Sequence, residues 1–321
     1  MSELKTLVYF DIEATGLKNS GRPRITELSL VAVSTRDVLD LQSNLMNCTE
    51  SQIEAEKILP RIINKLTICA YPMAIIRPEV SEITGLDNYN LSGQAPFNIK
   101  TGELLNCFLT HLPGPLCLVA HNGDQYDFPL LKAELKKVGT SLPYDTLCAD
   151  SYPGLKEIFR ERERIQASPG EYHKTNTDSQ IVKKVAETSD IQKLTKKLDE
   201  ECKEIEIENS KTPKINNAIT PTCKLNRMNA VQRRTKLQGT GMLTVRRKLD
   251  FIRCESPKSY SLINLHRQLL GWLPAQSHGA EADCMSLLRI TAVLGTEWVQ
   301  WVQDNCNLFS QFTEMWTYKH C

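Results

Sequence analysis

The stretch LVYFDIEATGL, Leu7 to Leu17, sets two carboxylates at the end of an otherwise apolar run. Leu7 to Phe10 reads as a strand made for a protein interior. Along a strand, residues i and i+2 share a face, so Asp11 and Glu13 meet in one place. Like charges at that spacing repel, and each raises the pKa of the other unless positive charge sits between them. The plainer alternative is a strand end running into a solvated loop at Ala14-Thr15-Gly16.

The residues around this stretch predict an α/β pattern. ITELSLVAV (Ile25 to Val33) reads as a second strand, and VLDLQSNLM (Val38 to Met46) as a third with the look of an edge. PEVSEITG, Pro78 to Gly85, has the Pro start and Gly stop of a short helix. Ile99, Leu104, Leu105, Phe108 and Leu112 keep a helical period. LCLVA, Leu116 to Ala120, follows as a buried strand. Phe128 to Val138 is a helix with Pro129 in its first turn, and TLCADS from Thr146 is a fifth strand. Regularity returns late, at SYSLINLHRQLLG (Ser259 to Gly271) and at a helix around AEADCMSLLRITAVL. The tail from Trp298 to Trp316 is apolar enough to pack.

Between these parts lies a polar insert. With 321 residues the chain has room for one large or two ordinary domains. Its net charge of +1 says nothing about partners, but that average hides a division. Lys156 to Lys258 holds 23 basic and 15 acidic residues, and the remainder is left with a net of −7. Lys211 to Lys258 alone carries 12 basic and 2 acidic residues. The expected organisation is therefore one domain built from 1–156 and 257–321. The insert 157–256 is expected to be largely disordered, with a solvated helix near 178–208. Its basic stretches, Lys224 to Lys236 and Val245 to Lys248, suit a DNA-holding arm, a plain linker or a localisation signal.

Eleven cysteines without a C-x-x-C pair imply neither a zinc site nor a disulfide framework, and fit reduced intracellular thiols. The N-terminus lacks a signal-peptide pattern, and no apolar run approaches the ~18 residues of a membrane span. The expectation is a soluble intracellular protein of the nucleus or cytoplasm.

Two further pieces bear on the opening pair. LVAHNGDQYDFPLLKAEL, Leu118 to Leu135, ends a strand in a loop with Asp124 and Asp127 at a helix start. SHGAEADCMSLL, Ser277 to Leu288, brings His278, Glu281 and Asp283 to the start of another. Clustered carboxylates suit hard divalent cations, and Mg²⁺ prefers carboxylate, phosphate and water oxygens. In a two-metal site the ions clamp both oxygens of a phosphodiester displacement. Asp11, Glu13, Asp127 and Asp283 would supply the ligands, and His278 would take a proton from the attacking water. Taken singly, Asp127 and Asp283 are also what a helix N-terminus favours, and His278 is an ordinary loop histidine.

FDIEATGL, ITEL, EITGL, LVAHNGDQYDFPLL, SYSL and SHGAEAD together resemble the three-prime repair exonucleases, a branch of the DnaQ-like 3′→5′ exonucleases with a DEDDh residue set. The resemblance covers about residues 4–155 and 257–317. It implies an RNase H-like α/β fold, a five-stranded mixed sheet flanked by helices. The five family positions fall on Asp11, Glu13, Asp127, Asp283 and His278. Further carry-over makes Ala14, Thr15 and Leu17 contacts of the 3′-terminal nucleotide. Ile83 with Leu17 becomes an apolar wedge and Tyr126 an aromatic beside the scissile phosphate. Asn122 is a site contact, while His121 reads as structural.

The implied activity is Mg²⁺- or Mn²⁺-dependent removal of 5′-mononucleotides from single-stranded or frayed DNA 3′ ends, in DNA repair or degradation. It also implies a homodimer joined through edge strands, with Val38 to Met46 as the edge, and no membrane partner. The rival readings are an RNA-directed exonuclease of the same superfamily and a non-catalytic protein that binds 3′ ends or a partner. Gln125 stands where some relatives have arginine, and Pro257-Lys258 keeps one basic residue where they tend to have two. Both departures remove positive charge that duplex ends would call on.

Overall fold

β1 (Thr6–Ala14) lies inside a six-stranded mixed sheet of order β3-β2-β1-β4-β5-β6. The computed structural model describes residues 2–17, 21–47, 59–167, 256–274 and 278–317. β2 (Ile25–Ser34) runs antiparallel to β1, and β3 (Ile62–Cys69) antiparallel to β2. β4 (Leu116–Ala120) lies parallel to β1, with β5 (Leu147–Asp150) parallel to β4. A two-residue β6 (Asn307–Leu308) closes the far side antiparallel to β5.

Both faces of the sheet are covered, which is why Leu7 to Phe10 is apolar without alternation. Leu7 and Tyr9 belong to one core, packed by α5 (Ser151–Ala167), α6 (Leu262–Leu270), α7 (Ala280–Leu294) and α8 (Thr296–Asn305). Val8, Phe10 and Ile12 belong to the other, with α3 (Ile99–His111) and α4 (Asp127–Lys137). Trp298 is wholly enclosed in the first core, and Phe128 stacks on Phe10 in the second. Asp11 and Glu13 continue the Leu7–Tyr9 face, so they emerge where α7 begins.

The helix expected at Pro78 to Gly85 forms as α2 (Pro78–Thr84), with Gly85 left-handed at φ 73° as its stop. The late segment is knitted to the early one. Nε2–H of His121, after β4, donates to the Tyr260 carbonyl at 2.8 Å, and Nδ1 pairs with the Ser151 hydroxyl at 2.8 Å. Burial lowers the His121 pKa, which keeps the ring neutral for this bridge.

Two expectations are corrected. Val38 to Met46 is not a strand but lies within α1 (Thr35–Asn47). The Thr35 hydroxyl donates to the Leu4 carbonyl at 2.8 Å, and the Gln42 amide donates to Leu294 at 3.0 Å. These bonds dock a helix that buries Thr35 and Val38, overriding the weak strand pattern. Among the described residues the edge is β3, and the sheet has six strands rather than five because β6 adds a short ladder after α8. Helix α5 runs from Ser151 to Ala167. The expected disorder, the helix near 178–208 and the basic arm lie outside the described residues. Among the described residues, no helix is long and apolar enough to cross a membrane.

Candidate active site

Three segments far apart in sequence deliver carboxylates to one place. Carboxylate oxygens of Asp11, Glu13 and Asp283 all lie within 4.8 Å of one another. Asp127, buried at the first turn of α4, stands outside that trio but adds its charge to Asp11, and its Oδ1 accepts the Ile12 N–H at 3.1 Å. That bond ties the helix to the backbone between the two strand acids.

The electrostatics are those of uncompensated negative charge. Burial, followed by Asp127, Asp283, Glu13 and Glu27, raises the Asp11 pKa well above the carboxylate range. Burial also raises Asp127, against the pull of its backbone hydrogen bonds. Glu13 is raised to about 7 by burial, then by Asp283 and Glu27. Asp283 is raised by burial, while the His278 N–H and ring pull it back. Four acids that resist ionisation together are a donor set suited to a hard cation, which would lift the penalty on each. The residues present therefore fit a divalent metal.

His278 lies at the exposed mouth of this group, in a left-handed conformation with φ 66°. Its backbone N–H donates to Asp283 Oδ2 at 3.2 Å, which fixes the loop that presents the ring. Glu281 is turned elsewhere: it accepts from Lys65 Nζ at 2.5 Å and from the Thr67 hydroxyl at 3.1 Å, pinning α7 to β3.

The nucleotide-contact candidates flank the acids. Ala14 and Thr15 are buried at the end of β1, whereas Leu17 and Ile83 are exposed at 74% and 56%. Tyr126 donates its hydroxyl to the Gly16 carbonyl at 2.5 Å, so it braces the Thr15–Leu17 loop. Asn122 is left-handed at φ 62°, and its N–H donates to Asp150 Oδ1 at 2.8 Å.

Several supporting residues were missed by sequence reasoning. Glu27, opposite Glu13 in the β1–β2 ladder, accepts the Ala280 N–H at 2.8 Å and seats the start of α7. An acid within the otherwise buried β2 was the available signal, the same one that marks Asp11. Asp150 accepts from the N–H groups of Asn122, Asp124 and Tyr152, and so shapes the loop before α4. Glu134, fully buried, accepts with its two oxygens from Nε and Nη2, one edge of the Arg24 guanidinium. Arg24 in turn donates its N–H to the Thr15 hydroxyl at 3.1 Å and accepts the Thr15 N–H at 3.0 Å. No local pattern links Arg24 to a helix residue 110 positions away.

No protein-family model matches the chain. Three prime repair exonuclease 2 of Mus musculus is 44% identical over 158 residues, which make up 49% of this chain and 63% of the relative. The Homo sapiens exonuclease 2 gives the same shares. Homo sapiens three-prime repair exonuclease 1 is 40% identical over 169 residues, 52% of each chain. The match thus spans less than two thirds of these relatives. Among solved structures, cell-death related nuclease 4 has a TM-score of 0.46 at 9% identity, covering 95% of this chain and 66% of its own. A zinc-bound complex of E. coli exonuclease I with single-stranded DNA has a TM-score of 0.33 at 12% identity, covering 49% of this chain and 30% of its own. Likeness at that level carries nothing about activity. By sequence, the chain is similar to three-prime repair exonucleases 1 and 2, which its motifs resemble.

Proposed function

We propose that this chain is a divalent-cation-dependent 3′→5′ exodeoxyribonuclease that releases 5′-mononucleotides from single-stranded or frayed DNA ends. The observation that carries the reading is the meeting of Asp11, Glu13 and Asp283 within 4.8 Å, with Asp127 near enough to act on Asp11 by its charge. A binding module gains nothing from holding four mutually repelling acids together. Asp11, Glu13, Asp127 and Asp283 would hold two Mg²⁺, for which Mn²⁺ can substitute. The ions would contribute Lewis acidity and positive charge beside the scissile phosphate.

The remaining work falls to side chains of this protein. His278 accepts the proton of the attacking water, which the exposure of its loop allows. Asp283 keeps that loop in place through the His278 N–H. Thr15 and Ala14 line the seat of the terminal nucleotide. Leu17 and Ile83 separate its base from the next, a sequence-tolerant apolar contact. Tyr126 stabilises the loop that carries them. The relatives' names, three prime repair exonuclease 1 and 2, support the same polarity of attack.

The free thiols among the described residues, Cys69, Cys107, Cys117, Cys148, Cys284 and Cys306, accord with a reducing nuclear or cytoplasmic setting. A homodimer would join at β3, the strand that ends the sheet on that side and needs cover for its open backbone groups.

The test is digestion of 5′-labelled single-stranded DNA, with matched RNA beside it, in Mg²⁺ and in EDTA. A ladder shortening from the 3′ end of DNA, dependent on Mg²⁺ and lost in Asp283→Asn, is expected. Cleavage that survives EDTA or Asp283→Asn, or no cleavage of DNA, would overturn the reading. Faster loss of the RNA would transfer it to the RNA-directed alternative.

A further inference from the structure

Beyond the acids, a cleft of about 360 Å³ opens from the end of β1. Its walls are Thr15, Arg22, Pro23, Ala74, Ile75 and Arg77. Thr15 lies two residues beyond Glu13 and is fixed through both backbone and hydroxyl bonds to Arg24. One wall is therefore continuous with the strand that carries the metal-site carboxylates.

The opposite wall is built with similar care. Asn88 clamps the 74–76 segment from both sides: its Oδ1 accepts the Ile76 N–H at 2.8 Å, and its Nδ2 donates to the Ala74 carbonyl at 2.8 Å. Ile75 is thereby held outward at 84% exposure by a braced loop rather than by chance. Arg77 is anchored at its backbone, where its carbonyl accepts the Val80 and Ser81 N–H groups at 3.0 Å each as α2 begins. The lining of the cleft thus combines two arginines with an exposed isoleucine, and it reaches Thr15, two residues along the chain from Glu13.

A strand entering an acidic centre brings further negative charge with every phosphate. The sequence outside Lys156–Lys258 carries a net of −7, so local cations are needed to hold that strand close. Arginine is the side chain suited to a phosphate, and an apolar surface takes the face of any base. We infer that this cleft is a subsite for an internal nucleotide of the single strand, upstream of the 3′ terminus, with Arg22 and Arg77 on its phosphate and Ile75 against its base. The inference rests on the exonuclease reading for its occupant and extends it to residues outside the DEDDh set.

The two readings separate experimentally, because one concerns binding and the other cleavage. Binding of a 5′-fluorescent oligothymidylate ten nucleotides long is measured in EDTA across a salt series. The full chain is compared with Arg22→Gln/Arg77→Gln, with Arg77→Gln alone, and with the Arg22→Lys/Arg77→Lys control. Hydrolysis of the p-nitrophenyl ester of thymidine 5′-monophosphate in Mn²⁺ is followed in parallel. The double glutamine variant should bind about tenfold more weakly, from the loss of charge-assisted bonds. Its log–log salt slope should be shallower by about 0.7, the contribution of one phosphate on a single strand. The lysine control should keep the slope, and ester hydrolysis should be unchanged. An unaltered slope in the double glutamine variant overturns the subsite whether or not the ester is cleaved. A full chain that binds oligonucleotide with the predicted slope change but cleaves neither substrate would keep the subsite and refute the exonuclease.

Discussion

Removing divalent cations should make the stability of this protein fall as pH rises, with Glu13 as the clearest contributor. Its folded pKa is raised from 4.5 to about 7. Between those values the native state holds a proton that the unfolded chain has released, so stability declines with pH across that window. Below the unfolded value the cost vanishes, and above the folded value it is complete. Each unit is worth about 1.4 kcal/mol, which gives about 2–3 kcal/mol once the part of Glu13 still reached by water is discounted. For a domain of this size that corresponds to about 5–10 °C in melting temperature.

The assay is thermal melting in EDTA at pH 5 and pH 8, for the natural chain and for Glu13→Gln. The comparison between variants matters because buried His121 and His266 pull the other way. Their pKa values are lowered in the fold, so their contribution is lost as pH falls. Glu13→Gln should flatten the fall by the amount above while leaving the histidine trend in place. Adding Mg²⁺ should raise the melting temperature of the natural chain more at pH 8 than at pH 5, because the ion replaces the protons. Identical pH trends in the two chains, or an equal Mg²⁺ effect at both pH values, would refute the raised pKa that burial, then Asp283 and Glu27, give Glu13.

Two other substitutions probe the supports. Arg24→Met leaves the buried Glu134 carboxylate unpaired, which should cost about 3–5 kcal/mol in urea unfolding, where a minor surface pair would cost under about 1. Gly123→Ala sets a methyl 2.6 Å from the Ala120 side chain and 2.8 Å from the Phe128 ring, so the 121–126 loop must shift. The expected result is a loss of about 1–3 kcal/mol in stability, with weaker exonuclease activity from displacement of Asp127, and an unchanged melt would contradict it.

How much of this was legible follows from where each residue takes its instructions. β4 and β5 were readable because apolar runs stand between breakers, and α4 because Pro129 and Gly139 mark its ends. α1 was misread because Val38, Leu39, Leu41 and Leu45 satisfy a ragged alternation, while the bonds that select a helix lead to Leu4 and Leu294. β3 escaped notice because an edge strand half exposed on both faces shows no apolar side. The primary acids were legible as charges placed against the grain of buried elements. Their supports were not, since Glu27, Asp150 and the Arg24–Glu134 pair draw their meaning from partners far along the chain.

Those supports answer a difficulty that the primary site creates for itself. Four carboxylates that repel one another cannot hold one another in position, and a basic side chain among them would compete with the metal. The fold uses backbone N–H groups instead: Ile12 for Asp127, His278 for Asp283 and Ala280 for Glu27. A peptide N–H orients a carboxylate without carrying a full charge, so Asp127 and Asp283 are fixed with no basic side chain among the acids. The part that Asp127 and Asp283 play in this arrangement is therefore set by the fold itself. That is also why the cost of assembling it should appear as the pH-dependent instability of the metal-free protein.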